Sequence, residues 1–178
     1  MQAMKPTPMS PLYAVLVASA FAVACSPTFN WRNTRVDGTP LQASLPCKPE
    51  AAVRPVALPS GPVDLSMMAC EAGGLRFALG WMRVPGADAS LLQAWQRASL
   101  STVGQGSAAD ASAEWAWQVP GAALSQAVQA EGRGPRGEAL VVRAVYFVQG
   151  DIAYQAAVYG QRPDRADVAP FFEALRLP

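Results

Sequence analysis

Histidine is absent from the chain. That excludes Ser-His-Asp and Cys-His catalysis, histidine-ligated zinc or haem, and an imidazole switch near neutral pH. Lysine is nearly absent, occurring only at positions 5 and 48. A serine nucleophile would need Lys48 as its base, but Ser44 lies four residues before it, across Pro46, and there is no Ser-x-x-Lys arrangement. Charge is sparse: 15% of residues, net +1, with the arginines scattered along the chain. A nucleic-acid surface needs clustered positive charge, so none is expected. The most apolar run, Leu12–Ala24, has 13 residues, fewer than the roughly 20 that a membrane-crossing helix needs. Cysteine occurs three times, at spacings that fit no zinc pattern. No metal and no cofactor is expected.

What is present at the start is arranged as an export signal. Lys5 and the amino terminus make a thin positive region, Pro6, Pro8 and Pro11 separate it from the apolar run, and the small residues Ala22 and Ala24 close that run. The residues Ala22-Val23-Ala24-Cys25 resemble the lipobox of bacterial lipoproteins, with Ala22 standing where leucine is usual. The resemblance implies cleavage before Cys25 and acylation of that cysteine. Two signals anchor a protein far more firmly than one chain. Ser26 follows the cysteine where an aspartate would imply inner-membrane retention, so the resemblance favours the outer membrane, facing the periplasm. The alternative is an ordinary secretory signal cut near Ala24. The expected organisation is a signal peptide over 1–24, a lipid-anchored tether over 25–40 and a single α+β domain over 41–178. Within the tether, Trp31 and Arg32 suit the headgroup level of a membrane, and the competing expectation is that Phe29 and Trp31 pack onto the domain as its first strand.

With Cys25 set apart, Cys47 and Cys70 remain. An even count in an exported chain reads as a disulfide. Leu41–Leu45 alternates, with Leu41, Ala43 and Leu45 on one side. Ala52–Leu58 carries Pro55, which suits an edge strand. Val63–Cys70 and Leu75–Trp81 alternate around Glu71-Ala72-Gly73-Gly74. These four stretches read as an antiparallel meander, with the cysteines at the ends of its first and third strands. Asp88 or Ser90 should cap a helix to about Val103, with Leu91, Leu92, Trp95 and Ala98 on its apolar face. Glu114–Val119 alternates as a strand would, Leu124–Ala130 is a weaker one, and Glu138–Val148 is apolar on both faces apart from Arg143 and should lie centrally. Ile152–Tyr159 pairs back on it. Pro163-Asp164 opens a last helix with Val168, Phe171, Phe172 and Leu175 inward, and Pro170 is placed in its first turns. The result is an α+β fold: an antiparallel sheet of about six or seven strands with a middle helix and a C-terminal helix packed on it.

Gly132-Arg133-Gly134-Pro135-Arg136-Gly137 matches a dinucleotide-binding pattern formally, but a strand follows it where a helix is required. Arg133 and Arg136 could still draw phosphate or lipid headgroups to the loop. Asp64, Glu71, Glu114 and Glu138 are isolated carboxylates, a weak basis for hydrolysis. Arg143 should face Gln155 and Tyr159 on a sheet face that is partly wet or holds an anion. Candidate ligand or partner contacts are therefore Trp81, Trp95, Trp115, Trp117 and Arg143, with no catalytic residue.

Four strings, Ser26-Pro27-Thr28-Phe29-Asn30-Trp31-Arg32, Leu45-Pro46-Cys47-Lys48-Pro49, Cys70-Glu71-Ala72-Gly73-Gly74 and Phe171-Phe172-Glu173-Ala174-Leu175, resemble a group of uncharacterised lipoproteins of Gram-negative bacteria. The domain is also loosely similar to PsbP-like α/β sandwiches. The lipoprotein group has no assigned activity to carry over, and the PsbP-like likeness implies the fold and a non-enzymatic role. The expected function is a lipid-anchored periplasmic protein, membrane-bound through its N-terminal lipid, that binds an envelope protein or supports an envelope assembly. The alternative is a carrier of a small or lipidic ligand in a tryptophan-lined cleft. A carboxylate-dependent hydrolase ranks last.

Overall fold

In a computed structural model the described residues are 27–58, 61–101, 103, 108–110 (backbone alone) and 115–178. The expected export signal and Cys25 lie outside them. In chain order the elements are β1 (Arg32–Arg35), β2 (Gln42–Leu45), β3 (Glu50–Leu58), β4 (Gly61–Ala72), β5 (Leu75–Arg83), α1 (Ala89–Ser101), β6 (Ala108–Asp110), β7 (Leu124–Arg133), β8 (Ala139–Gln149), β9 (Ile152–Gly160) and α2 (Arg165–Glu173). Strands β3 to β9 form one sheet in the order β3-β4-β5-β9-β8-β7-β6, while β1 and β2 pair separately. Among the described residues every strand pairing is antiparallel. The α+β fold with a middle and a C-terminal helix is as the sequence implies.

Register follows from tight turns. Gly73 and Gly74 both have positive φ (60° and 72°), as a two-residue hairpin requires when each central residue is left-handed. A Cβ at Gly73 would also stand 2.6 Å from the Phe29 ring. Between β8 and β9, Gly150 (φ 55°) turns the chain so that Gln149 faces Ile152. That hairpin places β9 against β5, with Phe77 opposite Val158 and Trp81 opposite Tyr154. The apolar strand β8 and its partner β9 consequently lie inside the sheet. Pro55 sits on β3, at the edge, where no outer strand needs its missing amide.

The two faces are packed by different layers. On the first lie Cys70, Phe77, Leu79, Phe147, Tyr154 and Val158. Over them lie α2, the β1–β2 ribbon and the segment Trp115–Val119. Asp164 caps α2, its Oδ1 accepting from the Ala166 amide at 3.0 Å. Val168, Phe171, Phe172 and Leu175 point inward and are fully buried. Pro170 falls deeper than the first turn, where its ring removes an intrahelical bond. The residue that would have accepted that bond, Ala166, is exposed.

On the second face lie Leu65, Met82, Val142, Ala144, Tyr146 and Ala157, under α1. Asp88 is the cap of that helix: its Oδ1 accepts from the Leu91 amide at 3.0 Å and from the Ser90 hydroxyl at 2.7 Å. The Leu91 amide, then the Ser90 hydroxyl, hold the Asp88 carboxyl below its usual value. Leu92 is buried against the sheet, with Leu91, Trp95 and Leu100 half-buried around it. Ala98, expected on the apolar face, is exposed. The helix ends at Ser101, and Val103 is a buried turn residue whose carbonyl accepts from the Arg133 amide at 3.0 Å.

Three sequence expectations need correction. Leu41–Leu45 does not join the meander. It pairs with β1, Arg32 facing Leu45 and Arg35 facing Gln42, and the ribbon lies on the sheet as part of a second layer. Its alternation is real, because a ribbon on a core has one buried side just as an edge strand does. Trp115–Val119 alternates in burial without belonging to any strand; Glu114, the first residue of the expected Glu114–Val119 strand, lies outside the described set. And the span 25–40 is not a tether throughout. Phe29 and Trp31 pack on Phe77, with centroids 6.2 and 5.7 Å away, and Arg32–Arg35 is a strand. The competing expectation holds for the packing of Phe29 and Trp31 onto the domain, while the first strand itself begins at Arg32.

Candidate functional site

The disulfide between Cys47 and Cys70 is formed, with Cα atoms 5.8 Å apart. It does not staple neighbouring strands. Cys47 follows the ribbon strand β2, and Cys70 lies in β4 of the main sheet, so the bridge joins two layers. Beside it opens a shallow cleft of ≈ 340 Å³ lined by Lys48, Glu50, Ala69, Glu71 and Arg76 as well as the two cysteines. Glu50 faces Ala69, two residues before Glu71, so both carboxylates stand on one wall. Both are exposed. The cleft went unread in the sequence because its lining comes from separate strands that only the fold brings together.

The predicted tryptophans do not share one site. Trp81, Trp115 and Trp117 are on the first face, Trp95 on the second. Trp115 stacks on Trp117 (5.8 Å, 30°), and Phe172 meets Trp115 edge-on at 4.7 Å. This aromatic group is filled by the helix α2, which leaves Trp115 2% exposed. Its indole N–H has no hydrogen-bond partner among the described residues. Trp95 lies edge-on to Tyr146 at 5.9 Å, across the thickness of the sheet from the others. A single cleft lined by all four does not form.

Arg143 joins the first group. Its guanidinium carbon is 5.2 Å from the Trp115 ring centre, within cation–π range. Its Nε donates to the Gln129 side-chain oxygen at 3.1 Å. Gln155 and Tyr159, the expected neighbours, lie on the other face: Arg143 pairs with Val158 and Gln129. Alternation along β9 separated its two faces correctly, but the register with β8 lies outside what alternation encodes.

One polar group escaped the sequence reading altogether. On the second face the Gln155 side-chain amide donates to the Tyr146 hydroxyl at 2.8 Å and to the Ser99 hydroxyl at 3.3 Å. Burial pushes the Tyr146 phenol up to about 12. Burial also raises the Tyr159 phenol. On the first face the Tyr154 phenol is raised by burial, which Thr39 and then the charge of Arg83 partly offset. Thr39 donates to the Val36 carbonyl and accepts from the Leu41 amide, and among the described residues the Tyr154 hydroxyl has no hydrogen-bond partner. The sequence signal was Gln155 alone among apolar β9 residues.

Among the described residues no group of three His, Cys, Asp or Glu side chains could hold a metal ion, and no helix is long and apolar enough to cross a membrane. The Gly132–Gly137 pattern closes the β7–β8 hairpin. The Gly134 amide donates to the Glu138 carbonyl at 2.9 Å, and Arg133 Nη1 donates to the Gly137 carbonyl at 2.8 Å. Asp64 and Glu71 sit towards opposite ends of β4, Glu138 in that hairpin, and Glu114 outside the described residues. No family model, curated protein or solved structure matches the chain.

Proposed function

We propose that this protein is a lipid-anchored, non-catalytic component of the bacterial cell envelope. It faces the periplasm and binds a protein partner or supports an envelope assembly. The observation that carries this is Ala22-Val23-Ala24-Cys25 at the end of an uncharged apolar run too short to cross a bilayer. The formed Cys47–Cys70 bridge supports it from an independent direction, because disulfides persist where the compartment is oxidising. Ser26 after the cysteine favours the outer membrane.

The anchor is tested by mass analysis of the mature amino terminus. Acylated Cys25 is expected, and an unmodified terminus at Cys25 or Ser26 overturns the reading. Crosslinking in the native envelope tests the role. Recovery of the same protein partner from independent preparations is expected. Recovery of bulk lipid with no recurring protein overturns it.

A further inference from the structure

The chain enters the fold at one end of the sheet. The Thr28 and Phe29 side chains lie over the Gly73–Gly74 turn, and the Asn30 amide donates to the Pro46 carbonyl at 2.8 Å. Thr28 stands three positions after Cys25, a reach of about 11 Å when fully extended. The headgroup zone of one leaflet is itself roughly 5–8 Å deep. A domain anchored at Cys25 therefore has no long tether and must rest near the bilayer by the end that holds this turn.

The sheet register identifies what else is at that end. Arg76 pairs with Tyr159, Val141 with Gly160 and Arg133 with Ala139, so the turns at 134–137 and 161–163 are beside the Gly73–Gly74 turn. Their tips carry Arg136 and Arg162, both exposed. Glu138 Oε2 accepts from the Arg136 amide and Asp164 caps α2, while Glu50, Glu71 and Glu131 stand on the strands behind these tips together with Lys48, Arg76 and Arg133. The opposite end differs. Arg83 pairs with Ile152 and reaches the Gly38 carbonyl, so the turns holding Asp37, Asp88 and Asp151 gather there, all three aspartates exposed. Arg83 lies among those aspartates, as the glutamates lie behind the arginines, so the contrast is one of turn tips: the tips at the first end present arginines to an anionic surface and those at the second present aspartates.

We infer that the domain stands end-on against phospholipid headgroups, with Arg136 and Arg162 contacting their phosphates and the aspartate-bearing turns directed away from the membrane. The inference rests on the lipid-anchor reading. It also gives the Cys47–Cys70 bridge a position with a consequence: the bridge ties the ribbon that follows the anchor to the main sheet, next to the point where the anchor pulls.

The test uses the full chain, purified in detergent and reconstituted into vesicles of phosphatidylethanolamine and phosphatidylglycerol. Amide hydrogen exchange is compared between vesicles and micelles. Amides at 134–138 and 161–162 should exchange more slowly on vesicles, by about fivefold per arginine engaged, with those at 37–39, 86–88 and 150–151 unchanged. Equal protection at both ends, or protection at neither, overturns the orientation. The double variant Arg136→Glu with Arg162→Glu should lose the protection, and protection that survives it overturns the role of the arginines. The mass of the amino-terminal peptide from the same sample separates the two readings. An unacylated Cys25 overturns the anchor, whereas an acylated Cys25 with unprotected turns overturns the orientation alone.

Discussion

On one face the sheet is covered by both ends of the domain; on the other it is covered by a helix from the middle of the chain. Nearly all the described aromatic side chains gather on the first face, from Phe29 and Trp31 to Phe171 and Phe172. The second face has Trp95, Tyr146 and Tyr159, and it carries the Gln155 hydrogen bonds. The first face is held by close aromatic packing and a covalent bridge. The second is held by one amphipathic helix with a polar contact beneath it. The difference teaches that the C-terminal helix and the N-terminal ribbon stabilise each other through the same core, while α1 depends on its own stripe.

The comparison breaks most visibly at Phe172, which is fully buried against Trp115 and Phe171. Phe172→Ala should destabilise by about 3–5 kcal/mol, read as a lower midpoint in guanidinium unfolding. A loss near zero would show that α2 is not part of the core. Replacing Cys47 and Cys70 together, by Cys47→Ser and Cys70→Ala, comes next. The bridge spans a separation of 23 residues, for which chain entropy gives about 3 kcal/mol. The same unfolding experiment with and without reductant checks it: wild type should fall to the level of the variant when reduced.

On the second face Trp95→Ala should cost less, about 2 kcal/mol, because the ring is only half-buried although larger than Phe172. A cost above that of Phe172→Ala would reverse the ranking of the faces. The smallest effect is expected at Tyr146→Phe, about 1 kcal/mol near neutral pH from the lost hydrogen bonds. Its pH dependence is sharper. The Tyr146 phenol is pushed up to about 12 by burial, whereas an unfolded tyrosine ionises near 10. Below pH 10 both states keep the proton. Between 10 and 12 only the unfolded chain gives it up, so stability falls by about 1.4 kcal/mol per pH unit. Urea unfolding across that range should show a shallower decline in Tyr146→Phe. An unchanged slope would mean that Tyr154 and Tyr159, also raised by burial, account for the fall.

Alternation and capping made most elements legible before any coordinates. Val63, Leu65, Met67 and Ala69 do share a face, β8 and β9 do lie inside the sheet, and the α2 stripe is buried where its spacing put it. The misses have one cause. Periodicity marks which side of a segment is apolar without naming what covers it. Leu41–Leu45 and Trp115–Val119 each have a buried side, yet one belongs to a separate ribbon and the other to no strand. The same limit put Arg143 beside Gln155 when Gln129 is its partner.

By itself the sequence determined an uncharged apolar run too short to cross a bilayer, the α+β element order, and, once Cys25 is set apart, the single cysteine pair. Each is a local or counting property: an apolar run, a period of two or 3.6, an even remainder. Tertiary structure alone decided that the disulfide joins two layers, that Trp95 is parted from the other tryptophans, and that arginine turns and aspartate turns stand at opposite ends of the sheet. Those depend on strand order and register, which are settled by the summed packing of residues far apart in the chain.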